Sequence, residues 1–449
     1  MKTIKNTLIK GTFILVTIGL INKVLGFGFR IFLSKTLGAE NLGIYQLIFP
    51  VQGICFAFCS AGLQTAISQI TAKLSSKKNP LEQKNALLSG MLLSLSISVI
   101  FATVLYIYAR ELSLYLLNEK RCMMLIRVLA LSLPFSSIHS CISGFYYGRE
   151  NAKIPAQSML LEQIVRVTTT IFIWLSVSGM HKHFEPYHAV IGILSGEISS
   201  ALFCFISLKN IKNKIFQLPD SGTFKLLAVT SFPLTCNKVI PGLFQGVETV
   251  LLPVQIAASG LSMSDSLKIY GIITGIALPF IMFPATITNS MSVLLLPAIA
   301  KADAEKKAST IIRTTALSLL ISICLGVMFT LFFLLGGNAI GKMIFNNSES
   351  GVYLTQLAWV CPFLYINTTM TSILNGLGHI NKTFIYNLIS ITIRILILLI
   401  AVPIYGVVAY ICSILASQAI LFILHLIAVI STICTFLPAS QSVRHHQNS

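Results

Sequence analysis

The chain has 449 residues, of which 55% are hydrophobic and only 10% are charged, and its mean hydropathy is +0.83. Soluble domains average about 25% charged residues, so this composition excludes a soluble globular protein and predicts one that crosses a membrane repeatedly. The net charge of +18 does not indicate nucleic-acid binding, because most cations lie in short connectors between apolar runs.

Apolar runs long enough to cross a bilayer, which takes about 20 residues, occur twelve times. We therefore predict an all-α polytopic membrane protein with about twelve transmembrane spans. In chain order the predicted spans cover 11–35, 43–72, 86–109, 122–147, 156–179, 189–208, 225–257, 266–300, 309–335, 353–377, 384–403 and 406–434.

Lysine and arginine are distributed unevenly between the connectors. With an even number of spans both termini share one side, and that side holds 19 of the 32 cations, against seven in the opposite connectors. Cytoplasmic connectors are enriched in Lys and Arg. We therefore predict a multi-pass protein of the cell membrane with both termini in the cytoplasm.

The first predicted span carries two cations, Lys23 and Arg30. Together with Gly19 and Gly26 they share one helical face, because residues at i, i+4, i+7 and i+11 align. A charge at the hydrocarbon centre costs roughly 2.5–3.5 kcal/mol. This pattern favours a cavity wall that faces an anion. The alternative is that Arg30 extends to the interface and Lys23 pairs with a carboxylate.

Spans 4 to 6 and span 12 contain further ionisable residues. In span 5, Glu162 and Arg166 are four residues apart, a spacing that permits a local ion pair. In span 6, Glu197 has no partner nearby in sequence, so it could pair with a cation of another span or carry a proton. His139 in span 4 and His425 in span 12 lie among apolar residues, which favours hydrogen-bonded packing residues over proton relays.

Span 7 contains three prolines, which make a helix easy to kink: Pro233, Pro241 and Pro253. On one of its faces lie Lys238 and Glu248. Glu248 could be an ion or proton site, a counter-ion for a cation of the other lobe, or a residue near the outer rim. Span 8 contains Pro279 and Pro284 and is predicted to be flexible or broken.

An internal repeat appears when the sequence is shifted by 228 positions. Without gaps, the shift aligns Asn118 with Asn346, Pro134-Phe135 with Pro362-Phe363, Gly148 with Gly376 and Arg166 with Arg394. We predict two six-helix lobes, 1–215 and 216–449, related by a pseudo-two-fold axis along the membrane normal. The substrate site of such transporters lies between the lobes. Ser390 stands where Glu162 stands relative to Arg166, so Arg394 lacks that partner. A contact of Arg394 with a cavity or a headgroup is therefore an open alternative.

Enzyme chemistry is not indicated. The sequence has no glycine-rich phosphate loop, no nucleophile triad and no metal-ligand spacing, and its ten cysteines are scattered. We therefore expect a protein that is not an enzyme and has no cofactor and no metal. Any transport would be driven by an ion gradient or the membrane potential.

Two stretches carry a family resemblance. The first is Asn22-Lys-Val-Leu-Gly-Phe-Gly-Phe-Arg30 with 37–45, and the second is Tyr270-Gly-Ile-Ile-Thr-Gly-Ile-Ala-Leu-Pro279 continuing to Leu296-Pro-Ala-Ile-Ala-Lys301. They resemble the bacterial polysaccharide and peptidoglycan lipid flippases of the multidrug/oligosaccharidyl-lipid/polysaccharide exporter superfamily, and especially their sporulation branch.

The resemblance implies two lobes around a central cavity, alternating access, and translocation of saccharides linked to undecaprenyl diphosphate. For the sporulation branch, the implied substrate is the lipid-linked precursor of spore-cortex peptidoglycan. Lys23 and Arg30 fall on positions where the family uses cations for the diphosphate, although Lys replaces the usual Arg and lacks its bidentate fork.

The candidate site residues follow from both arguments. Substrate binding is expected of Lys23, Arg30, Lys238, Arg394 and Arg166, and ion coupling or a counter-ion role of Glu248, Glu197 and Glu162. The expected partners are the lipid-linked saccharide, membrane lipids and wall-synthesis proteins, and no nucleic acid.

Two alternative functions remain open from the sequence. One is an ion-coupled exporter of cationic drugs, which would need carboxylates facing the cavity. The other is a scaffold of a wall-synthesis complex that transports nothing.

Overall fold

The computed structural model describes residues 2–76, 80–208 and 221–446, and within these ranges the chain is mostly helical and contains no strand. The α-helices are α1 (Lys2–Phe56), α2 (Gly62–Ser76), α3 (Pro80–Ile107), α4 (Ala109–Glu111), α5 (Cys122–Gly148), α6 (Lys153–Gly179), α7 (Pro186–Ser207), α8 (Ser221–Ala258), α9 (Met263–Tyr270), α10 (Leu278–Met282), α11 (Ala285–Ala304), α12 (Ala308–Phe345), α13 (Ser348–Leu357), α14 (Cys361–Gly376), α15 (Ile380–Ile400), α16 (Val402–Tyr405) and α17 (Val407–His446).

Helix α1 contains the first predicted span and the start of the second. Its two parts meet at Gly38, whose backbone is not helical (φ 76°, ψ 169°). Such a positive φ strains any residue with a Cβ, so glycine permits the bend. The chain then continues through a π-helical turn, Ala57–Ala61, into α2.

The eighth predicted span is divided, as its prolines suggested. After α9, the π-helical turn Gly271–Ala277 leads into α10, and α11 begins after Pro284. Across the described residues, twelve helical segments are long and apolar enough to cross a membrane. The number equals the prediction, but the first segment, Thr17–Leu74, combines predicted spans 1 and 2, whereas predicted span 8 yields two segments.

The chain forms two compact units, residues 1–250 and 251–449. The predicted division at 215/216 lies outside the described residues. Most of α8 packs with the first unit. A Cβ on Gly62 of α2 would overlap Thr235, and one on Gly246 would lie 3.0 Å from the Ile54 side chain. The first helix of the second repeat is thus held against the helices of the first.

The predicted repeat is confirmed by backbone conformation in each unit. Asn118 and Asn346, which are 228 positions apart, both adopt left-handed conformations, with φ of 50° and 52°. Glu150 and Gly378 are also 228 positions apart and have φ of 58° and 81°. Such values are uncommon for non-glycine residues, so their recurrence at one spacing shows that the same turns occur in both units.

Helix packing repeats with the same spacing. A Cβ on Gly148 would lie 2.5 Å from the Ser68 carbonyl oxygen, and a Cβ on Gly376 would lie 2.9 Å from the Leu296 carbonyl oxygen. Gly148 and Gly376 are 228 positions apart, and so are Ser68 and Leu296. In each unit, therefore, one glycine allows the backbones of two helices to approach closely.

We expect Gly148→Ala and Gly376→Ala to destabilise the protein, because the methyl group would overlap backbone that cannot move aside. Overpacking of this kind costs about 1–3 kcal/mol. Thermal unfolding in detergent measures the effect. Gly28→Ala is the matched control, since a Cβ there meets nothing within 4 Å. Equal melting temperatures for all three variants would contradict the packing interpretation.

An ion pair occurs at the same repeat positions in each unit. Arg121 Nη2 lies 2.7 Å from Glu40 Oε1, and Lys268 Nζ lies 2.6 Å from Glu349 Oε1. Glu40 and Lys268 are 228 positions apart, as are Arg121 and Glu349. The two pairs therefore occupy equivalent positions with their charges exchanged. An acid and a base attract each other whichever of the two positions holds the acid. Both units therefore keep the ion pair, although the residue types differ.

Arg121 also binds Glu119, with 2.9 Å between Nε and Oε1. Partial burial alone would raise the pKa of Glu119, but the hydrogen bonds and charge of Arg121 outweigh it and hold that pKa below its ordinary value. A carboxyl with a depressed pKa stabilises the folded state above its unfolded-state pKa, and this contribution is lost as the pH falls through the folded-state pKa.

Arg121→Gln should therefore lower stability at neutral pH by up to about 1 kcal/mol, the usual range of exposed ion pairs. The difference in stability between this variant and the wild type should become smaller below a pH of about 4, where glutamates become protonated. Melting temperatures of both proteins across this pH range test it, with the exposed Arg110→Gln as control. If the difference in melting temperature between Arg121→Gln and the wild type does not change with pH, the ion pairs are not its cause.

Candidate functional site

Close packing of α5, α6 and α7 forms the candidate site in the first unit. Gly192 and Gly196 on α7 are four residues apart, and a Cβ on either would overlap α6, at Thr170 and the Arg166 carbonyl or at the Glu162 carbonyl. Small residues at this spacing let membrane helices approach closely. Glu197 follows directly after Gly196, so the same packing places its carboxyl beside α6.

Four ionisable side chains meet there. Glu162 and Arg166 form the ion pair that their spacing in α6 predicts. Glu197 Oε2 lies 3.7 Å from His139 Nδ1, which comes from α5. One ligand atom each of His139, Glu162 and Glu197 lies within 4.8 Å of the other two. We call these four residues the His139 cluster.

Two buried polar atoms of the His139 cluster have no hydrogen-bond partner among the described residues, Glu197 Oε2 and Arg166 Nε. Glu197 is only 8% exposed. Leaving a buried charged group unsatisfied costs on the order of 1–3 kcal/mol or more. The cluster therefore contains one acceptor and one donor that no described residue satisfies.

Two adjoining cavities open onto these side chains. The larger has a volume of about 300 Å³, and Glu162, Arg166 and Glu197 line it together with aromatic and polar residues of α1. The smaller has a volume of about 210 Å³ and is lined by His139, Glu162 and Glu197. The residues that carry the two carboxyl groups therefore line open space between the helices.

A further cationic group lies on α1. Arg30 is half-buried, and the buried Tyr45 lies within electrostatic reach of both Arg30 and Arg166. Helix α1 packs against α6 here, and Phe32 and Trp174 make an edge-to-face contact with ring centroids 5.5 Å apart. In the described part of the chain Arg30 makes no salt bridge, so its charge is partly withdrawn from water without a carboxylate.

The other predicted site residues do not line these two cavities. Lys23 is exposed on α1, and Lys238 is exposed on α8. Glu248, also on α8, is buried, with 7% of its surface exposed. Arg394 lies half-buried on α15 in the second unit. From the predicted set, the structure thus brings together Arg166 and the two glutamates of spans 5 and 6, whereas Arg30 lines neither cavity.

His139 was interpreted from the sequence as a packing residue, and its participation in the cluster was missed. A signal was present, because polar residues recur on α5 at i, i+4, i+7 and i+11: Ser132, Ser136, His139 and Ser143. These four residues all line one or both cavities. A polar face of this length inside a membrane span predicts a cavity. By contrast, His425 is fully buried, with Nδ1 3.4 Å from Asn367 Oδ1, as a packing residue would be.

Comparison with known proteins gives a consistent family. The sequence profile described as "polysaccharide biosynthesis protein" matches residues 8–290. Stage V sporulation protein B of Bacillus subtilis (strain 168) is 24% identical over 98% of this chain and 86% of its own length. Lipid II flippase MurJ of the same organism is 22% identical over 65% of this chain and 57% of its own length.

Solved structures share the fold. An inward-facing multidrug resistance MATE family transporter of the MOP superfamily superposes with a TM-score of 0.74 and 14% identity, over 94% of this chain and 99% of its own. Lipid II flippase MurJ in an inward closed conformation superposes with a TM-score of 0.72 and 15% identity, over 94% and 89% of the two chains. These likenesses establish the two-lobe helical fold.

We expect Glu162→Gln or Arg166→Gln to destabilise the protein more than the double variant. Removing one partner leaves the other charge inside the protein, which costs up to about 3–5 kcal/mol at fully buried sites, whereas the double variant removes both charges. Thermal unfolding of the three variants measures the coupling. Arg110→Gln and Glu111→Gln, both exposed, provide the control pair. If the stability losses of the two single variants add up to the loss of the double variant, Glu162 and Arg166 do not interact.

Proposed function

Because this chain belongs to the polysaccharide biosynthesis protein family, we propose that it moves a lipid-linked saccharide across the cytoplasmic membrane. The proposed substrate is a peptidoglycan precursor carried on undecaprenyl diphosphate, and the proposed mechanism is alternating access. The chain is a multi-pass membrane protein and not an enzyme, so the reaction is a translocation in which no covalent bond changes.

The half-buried Arg30 is the observation that carries this proposal. Its guanidinium makes no salt bridge within the described residues, and both Arg30 and Arg166 lie within electrostatic reach of the buried Tyr45. A cation withdrawn from water needs an anion to offset its desolvation. Arginine binds phosphate oxygens through two parallel hydrogen bonds, which makes a phosphate group a suitable anion for this position.

Lys23 extends the same cationic face towards the N-terminus of α1. It precedes Arg30 by seven residues, which is about 10 Å along a helix. A diphosphate carries two phosphoryl groups, and long Lys and Arg side chains on one face can approach both of them. Lysine acts as a mobile point charge here, whereas arginine supplies directional hydrogen bonds.

The finer parts of the proposal rest on the relatives and on the charge distribution. The relative named as a sporulation protein supports a role in sporulation, and the relative named as a lipid II flippase supports a lipid substrate; the spore-cortex precursor is what the family resemblance implies. The excess of Lys and Arg in one set of connectors supports cytoplasmic termini. We keep lobes 1–215 and 216–449 as the proposed domains. Lys238 and Arg394 are proposed as additional headgroup contacts, and Glu248 as a counter-ion.

Neutralising the cationic face should abolish transport. In proteoliposomes containing a fluorescent lipid-linked saccharide, Arg30→Gln and Lys23→Gln should each reduce flipping, and the double variant should eliminate it while expression and melting temperature are retained. Arg30→Lys should recover less than the wild-type rate, because lysine cannot form the bidentate contact. Lys35→Gln on the same helix is the control.

The outcomes separate the candidate functions. Full flipping by the double variant would refute the proposal. Export of a cationic drug that survives neutralisation of Lys23 and Arg30 but is lost in Glu197→Gln would instead identify a drug exporter. Restoration of wall synthesis by a transport-dead double variant would identify a scaffold.

A further inference from the structure

The hydrogen bonds of His139 indicate which of its ring nitrogens carries the hydrogen. The Ser158 hydroxyl lies 3.1 Å from the Pro155 carbonyl oxygen, to which it donates, and 2.8 Å from His139 Nε2. A hydroxyl has one proton to donate. The arrangement in which that proton is directed to Pro155 places the hydrogen of His139 on Nε2, which donates it to Ser158 Oγ.

This tautomer turns a lone pair of His139 towards a carboxylate. Nδ1 then has no hydrogen, and the atom facing it at 3.7 Å is Glu197 Oε2, which has no hydrogen-bond partner in the described part of the chain. Two lone pairs facing each other in a buried site repel. One added proton, on either atom, converts this repulsion into an O–H···N or N–H···O hydrogen bond.

The charges around the pair also favour a proton. Glu162 and Arg166 face Glu197 from α6, and the remaining titratable group at the smaller cavity is Tyr147 of α5. Helix α1 contributes aromatic and amide side chains to the larger cavity but no charge. With both glutamates ionised and Arg166 charged, the cluster has a net charge of −1, and one bound proton makes it neutral.

We propose that His139, Glu162 and Glu197 form a proton-binding site in the first unit, with the proton carried by Glu197 Oε2 and donated to His139 Nδ1. The proton comes from one aqueous face through the adjoining cavities and is released to the other, so the site couples a proton gradient to the proposed translocation. A sodium ion fits less well, since an imidazole nitrogen is a poor ligand for hard cations, which prefer oxygen.

Infrared difference spectroscopy of the purified full-length protein in lipid tests proton binding directly, without any transport substrate. A carboxylic acid C=O band should appear as the pH is lowered and should be lost in Glu197→Gln. It should shift its midpoint in His139→Asn, whose amide places a polar atom near the position of Nδ1 without titrating. Glu111→Gln, an exposed control, should retain the band. Melting temperatures identify any variant that fails to fold.

Each result decides the proposal. Absence of the band in the wild type, or its persistence in Glu197→Gln, overturns the site. Suppression of the band by sodium chloride but not by choline chloride also overturns it and identifies a sodium site. Because the measurement contains no lipid-linked saccharide, a normal band in a protein that flips no such lipid would leave the proton site intact and refute the proposed function alone.

The coupling rests on the proposed function and has its own measurement. In proteoliposomes, an imposed pH gradient should accelerate flipping by the wild type and by Glu111→Gln, and Glu197→Gln should lose this acceleration. Gradient-driven acceleration that persists in Glu197→Gln would exclude this cluster as the coupling site.

Discussion

A charge inside a membrane protein must find a partner, be neutralised or reach water, and this constraint organises the first unit. Hydration that a side chain loses on burial is replaced only by an opposite charge and hydrogen bonds. The pair of Glu162 and Arg166 meets the requirement internally. Arg30 and Glu197 do not, because neither has a salt bridge of normal hydrogen-bond length in the described residues. The two proposals supply an anion to Arg30 and a proton to Glu197.

The features that sequence predicts best are those that rest on local periodicity and on the repeat. The 228-residue spacing aligned Asn118 with Asn346 and Gly148 with Gly376, and the structure shows left-handed turns at the first pair and close helix contacts at the second. Such positions are recognisable because few residue types tolerate them. The ion pair within α6 was predictable for the same reason, since its partners lie one helical turn apart.

Features that depend on contacts between helices were harder to predict. His139 lies 23 residues before Glu162 and 58 before Glu197, and nothing local indicates that the three converge. Their meeting depends on the approach that Gly192 and Gly196 allow. The packing of α8 with the first unit was equally hidden, because hydropathy identifies a span but not its neighbours. Gly38 illustrates a further case, in which one glycine bends a helix that hydropathy reads as two spans.

Arg166 belongs to both groups of charges, which gives the two proposals a physical connection. Its guanidinium binds Glu162, it is within reach of Tyr45 beside Arg30, and its Nε is buried without a hydrogen-bond partner in the described chain. An anion drawn to Arg30 would compete with Glu162 for the same guanidinium. The carboxylates of Glu162 and Glu197 would then lose part of their counter-charge, and a proton would replace it. Because coupling between two binding equilibria is reciprocal, a proton on this cluster would release Arg166 towards the anion. If the anion contacts Arg166 as well as Arg30, proton binding and anion binding would favour each other without any contact between the two ligands.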